Sequence, residues 1–128
     1  MFAFTLARRL RDAGPPAMGV MSVAAHPGVA NTNLFVAGNF SPMERAMRRG
    51  AGTVINALLN SSEQGAVPLL FAATATDVTN GGYYGPQGFM EMRGGDVGVA
   101  RVAGQAVDHE AAARLWSECE RLTGLSLF

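Results

Sequence analysis

The stretch VMSVAAHPGVANTNL, residues 20–34, decides how this chain is read. Small apolar and β-branched residues run up to His26-Pro27-Gly28, and a polar, threonine-bearing loop follows. The pattern predicts a buried parallel strand over residues 18–25 that ends at a ligand site. Pro27 has no backbone donor and a fixed φ, so a central strand cannot run through it. Gly28 lets the backbone come close to something flat. In open α/β sheets, ligands bind just beyond the carboxyl ends of the strands. Backbone amides after Gly28 and the Thr32 hydroxyl are candidate donors there. An ordinary exit from a strand into a loop accounts for the same residues and stays open beside that reading. His26 reads more readily as a strand-end residue bonded to backbone than as a general base.

Helices flank this stretch. In Phe2–Asp12 the residues Phe2, Leu6 and Leu10 fall at helical spacing, and Ala13-Gly14-Pro15-Pro16 stops the run. Arg8, Arg9 and Arg11 are expected to point mainly outward. Met1 enters this helix with no capping residue before it. Ser41-Pro42-Met43-Glu44 has the form of a helix start, with Pro42 at the first position, and predicts a helix to about Leu59. Ser61 and Gln64 stand at capping-box spacing and open another helix to about Ala75, with Pro68 inside it. Asn80-Gly81-Gly82 is a turn, and Tyr83-Tyr84 a very short strand. Residues 89–107 read as glycine-rich and irregular. Asp108 caps a last helix whose apolar face is Ala112, Leu115, Trp116, Cys119 and Leu122, with Gly124 at its end. One strand and a stub are too little sheet for a free-standing α/β domain.

Composition excludes several classes of function. With 48% hydrophobic and 16% charged residues, the chain is too apolar to be disordered. Ten basic residues balance ten acidic ones, so no general attraction to nucleic acid or an anionic membrane is expected. All the basic residues are arginine. No Schiff base, P-loop or lysine-tuned tyrosine can therefore be completed within the chain. Cys119 is the only cysteine, which rules out an internal disulfide and fits a cytoplasmic location. No apolar run approaches the ~18 residues of a membrane span.

Other motifs carry less. Gly50-Ala51-Gly52 and Gly94-Gly95-Asp96-Val97-Gly98 do not meet the dinucleotide fingerprint in spacing or context. His26 and His109 are far apart with no second cysteine, so no metal site is expected. No Gly-x-Ser-x-Gly elbow is present. Phe35, Phe40, Met43 and Met47 could line a hydrophobic substrate pocket. Core packing is the competing reading for them and is favoured for the methionines.

Taken in order, several segments resemble the C-terminal part of a short-chain dehydrogenase/reductase, most closely its retinol-dehydrogenase-like and WW-domain-oxidoreductase-like branch. They are Phe4-Thr5-Leu6-Ala7-Arg8-Arg9-Leu10; Ala25-His26-Pro27-Gly28-Val29 with Thr32-Asn33-Leu34; Ser62-Glu63-Gln64-Gly65-Ala66 and Ala72-Ala73-Thr74; Gly82-Tyr83-Tyr84-Gly85-Pro86-Gln87-Gly88; and Leu115-Trp116 with Leu122-Thr123-Gly124. Singly these are weak; in this order and spacing they are strong. The resemblance implies an α/β fold: the C-terminal portion of a Rossmann-type doubly wound parallel sheet, with one full strand, a short last strand and about four helices. It implies a single NAD(P)-binding domain over residues 1–128 whose N-terminal nucleotide-binding half is absent. It implies hydride transfer between NAD or NADP and an alcohol or carbonyl. Pro27 and Gly28 would shape the nicotinamide-side wall, and the Val29 backbone and Thr32 hydroxyl would hold the carboxamide. Leu34, Phe35, Phe40, Met43 and Met47 would belong to the variable substrate lid.

The family's glycine-rich phosphate loop, catalytic serine and Tyr-x-x-x-Lys have no counterpart here, so no residue is assigned a catalytic role. The chain as given is expected to be inactive: a truncated product, a misplaced start or a partial sequence. The alternative is a non-catalytic remnant acting as a pairing or binding module. In the isolated chain Val20–Ala25 would be an unsatisfied edge strand, through which self-association is expected. A small independent binding protein is the remaining reading.

Overall fold

The computed structural model describes residues 1–14, 19–29 and 60–126. Its elements in chain order are α1 (Phe2–Asp12), β1 (Ala24–Ala25), α2 (Ser62–Thr74), β2 (Tyr83–Pro86) and a 3-10 turn at Phe89–Glu91. Then come β3 (Val97–Val99), a second 3-10 turn at Gly104–Val107, and α3 (His109–Thr123). The strands form one sheet in the order β1-β2-β3. The amide of Ala24 donates to Gly82 and that of His26 to Tyr84, so the two segments run in parallel. β2 and β3 pair antiparallel, with Tyr84 opposite Val99, Gly85 opposite Gly98 and Pro86 opposite Val97. The sheet is therefore mixed, in an α/β fold: the expected parallel pairing is present between β1 and β2, and β3 adds an antiparallel strand that was not expected.

The helices follow local rules. At α2 the Ser61 amide donates to Gln64 Oε1 (3.1 Å) and the Gln64 amide to Ser61 Oγ (3.2 Å), a reciprocal capping box. At α3 the Asp108 carboxylate accepts from the Glu110 and Ala111 amides, and Gly124 closes the helix at φ 68°. Ala112 and Trp116 are buried as expected and Cys119 is half-buried, whereas Leu115 and Leu122 are exposed. The predicted helix starting at Ser41 lies outside the described residues.

Two expectations about strands fail. Of the full strand predicted over residues 18–25, the described part, residues 19–25, is strand only at Ala24–Ala25, and Val20 and Met21 are exposed. The reason is a long-range competitor. Asn80 Oδ1 accepts from the Ser22 amide (2.9 Å), and the Gly81 amide donates to the Ser22 carbonyl (2.8 Å). A turn thus takes the backbone groups that a neighbouring strand would use. The stretch 89–107, expected to be irregular, contains β3 and both 3-10 turns.

The chain divides into two compact units. The first holds α1, residues 75–83, the Gly104–Val107 turn and α3. There Phe2 stacks on Trp116 (centroids 5.0 Å apart, planes 14°) and the Arg9 guanidinium sits 4.5 Å over the same ring, so Arg9 is not simply outward-facing. Ala7 is buried in α1 and Ala112 in α3, as close contact between these two helices requires. The second unit holds α2, β3 and residues 84–100, with Pro68, Tyr84, Pro86 and Ala100 buried. Phe71 of α2 lies against Tyr84 at 5.3 Å.

Candidate functional site

The loop after β1 is held by both main-chain and side-chain hydrogen bonds. The His26 amide continues the parallel ladder, and its ring folds back so that Nδ1 accepts from the Gly28 amide (3.2 Å). An accepting Nδ1 carries no proton, which leaves any ring proton of the neutral form on Nε2. Nε2 stands 3.6 Å from Glu91 Oε2. The backbone role expected for His26 is therefore present. The same ring lies against Gly85, where a Cβ would meet Nε2 at 2.0 Å, so no side chain fits at that position.

Gly28 has φ +68°, and a Cβ there would lie 2.6 Å from the Met92 carbonyl oxygen and 2.8 Å from Pro86 Cγ. The close approach that the glycine permits is made by the chain's own backbone and proline. Val29 is engaged on both sides: its amide donates to Met92 (2.9 Å) and its carbonyl accepts from the Asn60 amide (3.1 Å). Pro27 is exposed, and its carbonyl accepts from Asn60 Nδ2 (3.2 Å).

The structure thus brings Pro27, Gly28 and Val29 into one ordered loop. The other candidates (Thr32, Leu34, Phe35, Phe40, Met43 and Met47) lie outside the described residues. Asn60 and Glu91 join the site without having been singled out in the sequence. Asn60 immediately precedes a capping box, and nothing in its surroundings distinguishes it. Glu91 and its neighbour Met90 adopt positive φ (59° and 52°), a region that Gly or Asn would ordinarily mark. Two successive left-handed residues here turn the Glu91 carboxylate towards His26, and backbone strain of this kind tends to gather at functional sites.

A separate concavity of about 290 Å³ lies within the first unit, lined by Met1, Ala3, Phe4, Ala24, Tyr83 and Ala106 among others. Its apolar walls include the Phe4–Tyr83 edge contact (6.4 Å, 89°). Of the described site residues, Pro27, Gly28 and Val29, none is among those lining it. No helix among the described residues is long and apolar enough to cross a membrane.

Comparison with known proteins adds the family context. No family model and no solved structure matches the chain. Mouse polyprenol dehydrogenase is 35% identical over 125 residues, 97% of this chain and 32% of that protein. Short-chain dehydrogenase/reductase pkfC of Emericella nidulans is 37% identical over 79 residues, 62% of this chain and 22% of that protein. The chain thus spans about a third or less of the length of these curated relatives. Both are of the short-chain dehydrogenase/reductase type, and both are oxidoreductases by name. With the motif order from Phe4 to Gly124 and these two relatives agreeing, the chain resembles the C-terminal part of a short-chain dehydrogenase/reductase.

Proposed function

We propose that this chain is the C-terminal segment of an NAD(P)-dependent oxidoreductase and supplies the nicotinamide-side wall of its site. The observation that carries the reading is the Pro27–Gly28–Val29 loop, hydrogen-bonded just past the carboxyl end of a strand in parallel pairing. That is where α/β sheets bind ligands. The parent domain is a Rossmann-type doubly wound sheet, of which β1 and β2 are the last parallel pair.

The loop fits the nicotinamide end in part. Exposed Pro27 offers a rigid, flat, apolar surface. The Val29 carbonyl, already bonded to Asn60, keeps a second lone pair for a carboxamide N–H. The Val29 amide is committed to Met92, so a donor to the carboxamide oxygen must come from another group, and the Thr32 hydroxyl is the candidate. NAD(P), when bound, supplies or accepts the hydride. In the whole protein its partner is an alcohol or carbonyl substrate, with Leu34, Phe35, Phe40, Met43 and Met47 in the lid. This chain orients one end of the cofactor and moves no proton itself, so we expect no turnover from it alone.

Saturation-transfer NMR tests this on the 128-residue chain with NAD⁺ and NADP⁺. Saturation reaching the nicotinamide protons in preference to the adenine protons supports the reading. Preference for adenine, or steady reductase turnover, defeats it. A second reading, a non-catalytic pairing module, is favoured by one observation. The strand order places β1 at the end of the sheet, with no strand partner on its outer edge among the described residues. Sedimentation that gives a monomer at every concentration would dispose of self-association through that edge.

A further inference from the structure

Asn60 is fully buried, at 0% exposure. An asparagine beside a helix start ordinarily serves as a cap. Here Ser61 and Gln64 complete the cap of α2 between themselves, which leaves the Asn60 amide free for another task. Its Nδ2 donates to Pro27 O (3.2 Å), and its Oδ1 accepts from the Gly94 amide (3.2 Å). Its own backbone amide donates to Val29 O, and the Val29 amide donates to Met92 O. These four bonds close a ring through Pro27–Val29, Asn60 and Met92–Gly94. The side chain's orientation is unambiguous. A flipped amide would set Oδ1 against the Pro27 carbonyl and the NH2 against the Gly94 N–H, replacing two attractions with two repulsions.

We propose that Asn60 is the positioning residue of the Pro27–Val29 loop, fastening the wall of the site to the Met92–Gly94 turn. Loop backbone has no ladder of its own to hold it, so a buried side-chain amide supplies the missing partners. A link to the cofactor rests on the reading proposed above; the fastening itself does not. Asn60 touches no reacting atom and acts through the loop.

The test is residue-resolved amide hydrogen exchange on the 128-residue chain and its Asn60→Ala and Asn60→Asp variants. The Ala24 and Gly81 amides, hydrogen-bonded in the first unit, serve as controls. In Asn60→Ala we expect exchange at Val29 and Gly94 to accelerate by about tenfold or more, with the controls unchanged. In Asn60→Asp the acceptor for Gly94 survives and the donor to Pro27 is lost, so Gly94 stays protected while Val29 does not. A residue that merely fills space would not produce that split. The proposal is overturned by unchanged exchange at Val29 in both variants. It is equally overturned by acceleration at the controls in step with the loop, or by unfolding of both variants. Nicotinamide saturation is recorded in parallel. Its loss in Asn60→Ala, with the chain still folded, ties the fastening to the cofactor. Absence of saturation in the unmodified chain defeats the cofactor reading alone, and the exchange data still decide the role of Asn60.

Discussion

The two units of this chain are held together by different means. Among the described residues of the first, aromatic packing stands out: Phe2 stacks on Trp116, a ring 2% exposed, the Arg9 guanidinium sits over the same ring, and Phe4 lies edge-on to Tyr83. Among the described residues of the second, the loop at the candidate site is shaped by hydrogen bonds and close backbone approach: the Asn60 ring, Gly28 under Met92 and Gly85 under His26. Each unit also uses an asparagine in the same way. Asn80 donates to Ala7 O (2.8 Å) and accepts from the Ser22 amide, as Asn60 does with Pro27 and Gly94. The contrast shows that apolar area stabilises the helical scaffold, whereas the loop at the candidate site owes its shape to polar geometry.

The sharpest way to break this comparison is Trp116→Ala. Loss of a buried Trp side chain costs on the order of 3–5 kcal/mol. Amide exchange should rise throughout α1 and α3, and equal acceleration in β3 would show that the two units share one source of stability. Gly28→Ala should come next, at about 2–3 kcal/mol, because it adds a left-handed backbone penalty to a clash with Met92 O. Chemical denaturation measures it, and a change below about 0.5 kcal/mol would remove the argument from close approach. Third, Asn80→Ala should cost about 1–2 kcal/mol and be milder than Asn60→Ala. Asn80 is partly exposed, so water can replace its bonds, while groups buried around Asn60 would stay unpaired. Reversal of that order in paired denaturation curves would mean that burial does not set the cost.

The smallest effect is electrostatic. Bonding to the Ala111 amide, with further help from Glu110, Arg114 and His109, holds the Asp108 carboxyl below its ordinary value of 3.8. A depressed carboxyl stabilises the fold above its unfolded pKa, and that contribution fades as pH falls through the folded value. The hydrogen bonds from Arg121 lower Glu118 in the same direction. Helical circular dichroism should therefore hold steady from neutral pH and decline only below about pH 4. Asp108→Asn, which keeps the capping acceptor, should flatten that decline. Both groups are exposed, so added salt should weaken the Glu118–Arg121 part.

The helices were legible because their signals are local. Phe2–Asp12 matches its sequence bounds, Ser61 and Gln64 bond as their spacing implies, and Asp108 and Gly124 bracket α3. The strands were not. Apolar character over residues 18–25 implied a long buried strand, yet Asn80, far away in sequence, takes the Ser22 amide and leaves Val20 and Met21 exposed. β3 is a glycine-containing triplet with no alternation to announce it, and it exists because β2 offers it a partner. The site divides in the same way. Pro27, Gly28 and Val29 stood out by residue type, while Asn60 and Glu91 did not.

By itself, the sequence determined the bounds and caps of the described helices, the break at Pro27, that Gly28 allows a close approach, and the family resemblance. All of these depend on neighbours within a few residues or on the order of short motifs. Tertiary structure alone decided how short β1 is, that the sheet is mixed and that the Pro27–Val29 loop is fastened through Asn60. Those outcomes turn on which distant donor meets which carbonyl, and a hydrogen bond formed across many residues leaves no periodic mark in the chain.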